Sequence, residues 1–117
     1  MIPNPTYADI KNLLDTAIGG PNQDIGAHGP FWRLLSRDDF VLFTYRGEPL
    51  FAKTPGGDFD VDGSNLVKAL EGRLPFGRDL VPPVPGARFR RMPAGKPPMP
   101  PADILSVRQW IKAGCPA

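Results

Sequence analysis

Pro101-Ala102-Asp103-Ile104-Leu105-Ser106-Val107-Arg108-Gln109-Trp110-Ile111-Lys112-Ala113-Gly114 is the stretch that reads most plainly. Proline suits a first helical position, where its missing N–H leaves no bond unmade. Asp103 then favours the positive end of a helix. Ile104, Val107 and Ile111 recur on one face with Trp110 beside them, the spacing of an amphipathic helix. Gly114 supplies the stop. The chain closes on a helix with one apolar face.

Working back from that helix, the same rules place three more. Tyr7, Ile10, Leu14, Ala17 and Ile18 fall at spacings of three, four and seven, which predicts a helix over Thr6–Ile18 that begins at Thr6 or Pro5 and ends at Gly19-Gly20-Pro21. Ser36-Arg37-Asp38-Asp39 has the spacing of a helix cap and predicts a helix from Arg37 to Thr44, although Phe40-Val41-Leu42-Phe43 would also suit a strand. Gly47 and Pro49 stop it, and Leu50 to Lys53 reads as short and extended. Ser64 caps and Gly72 closes a helix over Asn65–Glu71. Asn22 to Arg33 is loop around His28, with Phe31-Trp32 behind it. From Val81 to Pro101 eight of 21 residues are proline, so this stretch is an ordered wrap or a flexible strap and not a helix. There is no internal repeat. Four short helices joined by Pro/Gly loops predict a small all-α fold, one domain over residues 1–117.

The totals agree with one small domain. At 117 residues there is no room for two. Glycine and proline make up 29 residues, near the range where disorder becomes a fair guess, but Leu, Ile, Val and Phe make up 30, well clear of disordered compositions. A formal charge of +2 demands neither nucleic acid nor an anionic membrane. A single cysteine, Cys115, forbids an internal disulfide. No stretch reaches the roughly 18 apolar residues of a membrane span, and Met1 to Lys11 has no signal-peptide pattern. The expectation is a soluble, cytoplasmic protein as the sequence stands, periplasmic if a signal peptide has been removed.

Four features form an ordered set: the first helix, the glycine-flanked His28 followed by aromatics, Arg91-Met92-Pro93-Ala94-Gly95 with Pro97-Pro98, and the last helix with Asp103-Ile104 and Trp110-Ile111. With Ser64-Asn65-Leu66 and the helix it starts, this set resembles the bacterial cytochrome c-like domains over about two-thirds of the chain. The resemblance implies a helical shell, an electron-transfer ancestry and axial ligands at His28 and Met92. It also exposes a departure. The family's attachment motif, C-x-x-C-H, uses two thiols to bind the haem covalently; the matching stretch here is Asp24-Ile25-Gly26-Ala27-His28, and neither Asp24 nor Ala27 can form a thioether. The expectation is a haem-free relative with no cofactor, whose interior is filled by several of Phe31, Trp32, Phe40, Phe43, Phe51, Phe76, Phe89 and Trp110, because an empty cavity costs about 24 cal/mol per Å3. The expected role is that of a binding or accessory protein docking to a protein partner such as a redox enzyme. Its face is expected around Phe31, Trp32, Arg88, Phe89, Arg90, Arg91 and Met99. The competing expectation is an electron carrier with haem held noncovalently by His28 and Met92.

Smaller signals complete the reading. Asp58-x-Asp60-x-Asp62-Gly63 matches the opening of a calcium loop, but the twelfth position is Ala69 and the ninth Leu66, so an acidic turn before a helix explains it as well. Arg88, Arg90, Arg91 and Lys96 with Phe89 interleaved could meet nucleic acid; a solvated or protein-docking loop is the plainer account. Pro97 to Pro101 could form a polyproline ligand or brace the start of the last helix. One histidine and one cysteine in distant elements, with no serine in a nucleophile elbow and no phosphate-cradling glycine loop, support no catalytic set. The expectation is a protein that is not an enzyme.

Overall fold

Thr6 opens the first helix by a reciprocal cap: its hydroxyl accepts the Asp9 N–H, and the Asp9 carboxylate accepts the Thr6 N–H at 2.9 Å. Two orphan donors are satisfied at once, and α1 runs Tyr7–Ala17. A computed structural model describes residues 2–20, 31–45, 47–93 and 96–117, the side chains of Phe31 and Tyr45 excepted. A single 3-10 turn, Phe31–Arg33, precedes α2, Arg37–Val41, whose cap is the Ser36 hydroxyl accepting the Asp39 N–H at 3.1 Å. The third helix, α3, is Asn65–Glu71, closed by Gly72 at φ +68°. The last, α4, is Pro101–Lys112, with Gly114 just beyond it at φ +93°.

The expected all-α fold is corrected by two antiparallel hairpins between α2 and α3. The helix predicted to reach Thr44 stops at Val41, and β1, Thr44–Tyr45, pairs with β2, Glu48–Pro49. Then β3, Ala52–Lys53, pairs with β4, Phe59–Asp60. The chain is mixed α/β. The physical reasons are local. Phe43, Thr44 and Tyr45 prefer extended backbone, and Gly47 at φ +80° permits the tight turn after them. In the second hairpin Thr54-Pro55-Gly56-Gly57-Asp58 turns the chain, with Gly57 at φ +91° and the Thr54 N–H donating to the Asp58 carbonyl at 2.7 Å.

The core forms where α1 and α3 pack on α4. Its interior members are Ile10, Leu14 and Ile18, then Trp32 and Phe40, then Leu66, Val67 and Leu70, then Met99, Val107, Trp110 and Ile111. Ring against ring binds it: Tyr7 lies 5.2 Å from Phe40 and 6.0 Å from Trp110, and Phe51 lies 5.5 Å from Phe40 and 6.1 Å from Trp110. These are the offset and edge-on distances that aromatic pairs favour. The ends are tied down. The Ile2 N–H donates to buried Ser106 Oγ at 2.9 Å, and Arg37 donates to the carbonyls of Gly114 and Cys115. A cation therefore sits at the negative end of α4.

Candidate functional site

The residues expected to make up a site divide into three groups. Asp24, Ala27 and His28 lie outside the described residues, as do Ala94 and Gly95 and the side chain of Phe31. Met92, the second expected ligand, is half-buried against the core and its N–H donates to the Ala69 carbonyl at 2.9 Å. Trp32 and Met99 were expected on a docking face. Both are interior instead: Trp32 is 0% and Met99 2% exposed, so neither offers surface to a partner.

Trp32 is held by chemistry that the sequence did not advertise. Asp15 on α1 accepts the Trp32 Nε1–H at 2.8 Å and the Arg33 Nε–H at 2.6 Å on one carboxylate oxygen. The opposite edge of this cluster is Tyr7, whose hydroxyl donates toward the carbonyls of Leu35 at 2.9 Å and Trp32 at 3.2 Å; burial pushes its pKa upward. Of the aromatics expected inside, Trp32, Phe40, Phe51 and Trp110 are buried and Phe43 half-buried. Phe76 and Phe89 lie outside the core cluster, paired with each other at 5.4 Å.

That pair organises the connection between α3 and α4. Phe76 and Phe89 form an isolated parallel bridge. Around it the Gly77 and Arg78 N–H groups donate to the Phe89 carbonyl, and the Arg88 and Phe89 N–H groups to the Pro75 carbonyl. The neck is closed by the Arg91 N–H donating to Asp79 Oδ1 at 2.7 Å and by two glycines. Gly77 has φ +104°, and a Cβ there would meet Val84 Cγ2 at 2.6 Å and the Gly72 carbonyl at 2.8 Å; one at Gly72 would meet Leu80 Cδ1 at 2.9 Å. Residues 73–91 therefore make a lobe with its own hydrogen bonds and its own small apolar centre. Burial tends to raise the Asp79 carboxyl, but the Arg91 N–H and the nearby Arg90 and Arg91 charges outweigh it and hold the group below the usual carboxylate range.

The arginines stand on this lobe. Arg88 lies over the Phe89 ring at 5.2 Å and pairs with Glu48 at 3.3 Å; Arg90 is 4.0 Å from Asp79. Arg91 is half-buried at the neck, with Nη2 donating to the Lys96 carbonyl. Arg73, Arg78, Leu74 and Val81 complete the lobe's surface. They are exposed, and the sequence reading passed over them. A signal was present: arginines recur on both sides of a proline cluster, from Arg73 to Arg91.

The acidic turn takes a structural form. Asp60 Oδ1 accepts the Gly63 N–H at 3.0 Å, and Asp62 pairs with Arg108, whose hydrogen bond and charge lower its pKa. Asp58 is exposed. Among the described residues no group of three His, Cys, Asp or Glu side chains is placed to hold a metal ion. Ser64 occupies the cap position of α3 without capping it; its hydroxyl donates to the Asp60 carbonyl at 2.7 Å and accepts the Ala52 N–H at 3.1 Å. Cys115 is buried, which drives its thiol up to about 12 against the opposing pull of Arg37 and Lys53.

No protein-family model, curated protein or solved structure matches this chain. What its own geometry presents, besides the lobe, is a groove of about 420 Å3 between the end of α1 and the strap before α4, lined mainly by Leu13, Ala17, Ile18, Pro97, Met99 and Pro100. Met92 is not among its described lining residues. Among the described residues no helix is long and apolar enough to cross a membrane.

Proposed function

We propose that this chain is a haem-free relative of the cytochrome c-like domains that acts, without catalysis of its own, as a binding or accessory protein for a protein partner. One observation carries the reading: the interior is closed by aromatic side chains of the chain itself. Tyr7, Phe40, Phe51 and Trp110 touch at ring-packing distances, and Trp32 is pinned to Asp15 beside them. Packing of this kind leaves little room for a flat macrocycle, because protein interiors are filled nearly to crystal density. That packing, together with an attachment stretch that lacks thiols, supports the reading of a chain that works without haem. Asp24 and Ala27 cannot form thioethers, and the Met92 backbone is bonded to α3 while its side chain leans on the core.

Titrating the purified chain with hemin tests the proposal. The expected result is no Soret shift beyond that of free hemin and no sharp bands on reduction. A saturable shift at one equivalent, abolished by both His28→Ala and Met92→Ala, would overturn it in favour of an electron carrier with noncovalent haem.

A further inference from the structure

We infer that residues 73–91 form a docking lobe for an acidic protein segment with apolar anchors, a surface that keeps Arg88 to Arg91 of the expected face and leaves out the buried Trp32 and Met99. The inference deepens the accessory-protein reading and rests on it.

Three observations carry the surface. First, the connection from Gly72 to Pro100 contains no helix or strand among its described residues, and connections beyond about 12–15 residues without secondary structure are uncommon in compact domains unless they do a job. Second, this one is built. Backbone bonds tie Pro75–Arg78 to Arg88–Phe89, and two glycines hold the neck at close quarters. A fixed lobe presents its surface without the ordering entropy that a loose loop would lose on binding. Third, the charge is segregated. The lobe holds five arginines against Asp79, a net +4, while the rest of the chain holds nine basic and eleven acidic residues, a net −2. Arg73 and Arg88 have carboxylate partners in Glu71 and Glu48; Arg78 stands exposed.

The same lobe selects a protein over the other polyanions. Val81 is 99% and Leu74 53% exposed, and Pro82, Pro83 and Pro85 are exposed between them and Arg88. Arginine is enriched at protein interfaces, and exposed apolar side chains grouped on one surface mark interaction sites. Single-stranded nucleic acid would need aromatic faces open for base stacking. Here Phe89 is half-buried, with Phe76 on one side and the Arg88 guanidinium over its ring.

The test uses the full chain and fluorescence anisotropy. The probe is a short fluorescein-labelled peptide of Asp and Glu carrying two leucines, run beside the same peptide with serine for leucine, a single-stranded oligonucleotide and phosphatidylserine vesicles. The leucine peptide is expected to bind best and to weaken as salt rises to about 0.3 M, where exposed charges are screened. Arg78→Glu with Arg88→Glu is expected to weaken it at least 10-fold, roughly 1.4 kcal/mol, and Leu74→Ser with Val81→Ser should remove the preference for the leucine peptide. Both pairs are exposed, so unchanged circular dichroism and melting confirm that the fold survives. No peptide binding, tighter binding to the oligonucleotide or vesicles, or full binding by the charge-reversed variant would overturn the inference. If a partner co-purifies from the protein's own cells equally with wild type and the charge-reversed variant, this surface falls while the accessory reading stands; hemin binding sinks the haem-free reading and leaves the lobe untouched.

Discussion

Asp15 accepts from Trp32 and Arg33 on one oxygen, and it shows how a surface-looking helix residue can govern the interior. On the helical pattern it belongs to the polar side of α1. The partner that gives it meaning is 17 residues away, and no local spacing announces such a pair. Asp15→Ala would remove the acceptor shared by the Trp32 Nε1–H and the Arg33 Nε–H, a loss of about 1–3 kcal/mol in urea denaturation. Asp15→Asn, which keeps an acceptor, should lose less. Cys115 makes a second residue-scale prediction. With the thiol at about 12 and buried, the reactive thiolate is scarce at pH 8. Iodoacetamide should label it slowly in the native chain and rapidly in urea. Asp79 sets a pH dependence. Its folded pKa lies below the unfolded value of about 3.9, so its contribution is whole above roughly pH 5 and fades as pH falls through the folded value. The urea midpoint should drop between pH 5 and pH 3, and by less in Asp79→Asn.

At the scale of elements, what was legible was whatever local chemistry decides. The caps at Thr6 and Ser36, the glycine stop after α3 and the proline start of α4 appear where the sequence puts them. Thr6→Ala removes a reciprocal cap and should cost about 1 kcal/mol, measured as a shift in thermal midpoint. The hairpins were missed for a physical reason. Phe40-Val41-Leu42-Phe43 satisfies helix and strand alike, and two-residue strands gain their identity from a partner, not from periodicity. Tyr45 to Glu48 with glycine in the turn, and Pro55-Gly56-Gly57-Asp58 before Phe59, were the readable clues. The lobe was legible in composition but not in shape. Gly77→Ala tests its neck: an added Cβ would strain φ +104° and press on backbone. Faster amide exchange is expected for residues 73–91, with the core helices unchanged.

Across the whole molecule, one closed aromatic core and one charged lobe divide the work. The chain ends meet the core through Ser106 and Arg37, so the helices, the hairpins and the termini stand or fall together. The single-domain expectation came from length, and the expected interior roles of Trp32, Phe40, Phe51 and Trp110 came from reading missing thiols as missing cofactor. Of the expected docking face, Trp32 and Met99 serve the interior, whereas Arg88, Phe89, Arg90 and Arg91 stand on the lobe. An aromatic side chain beside a glycine loop has the same sequence signature whether it packs inward or outward. The proposal that self-filled packing replaces a porphyrin is tested most directly by an electron-density map from crystals grown with excess hemin. The account predicts Tyr7, Phe40, Phe51 and Trp110 in mutual ring contact with side-chain density alone between them. A porphyrin seated between His28 and Met92, with those rings displaced, would contradict it.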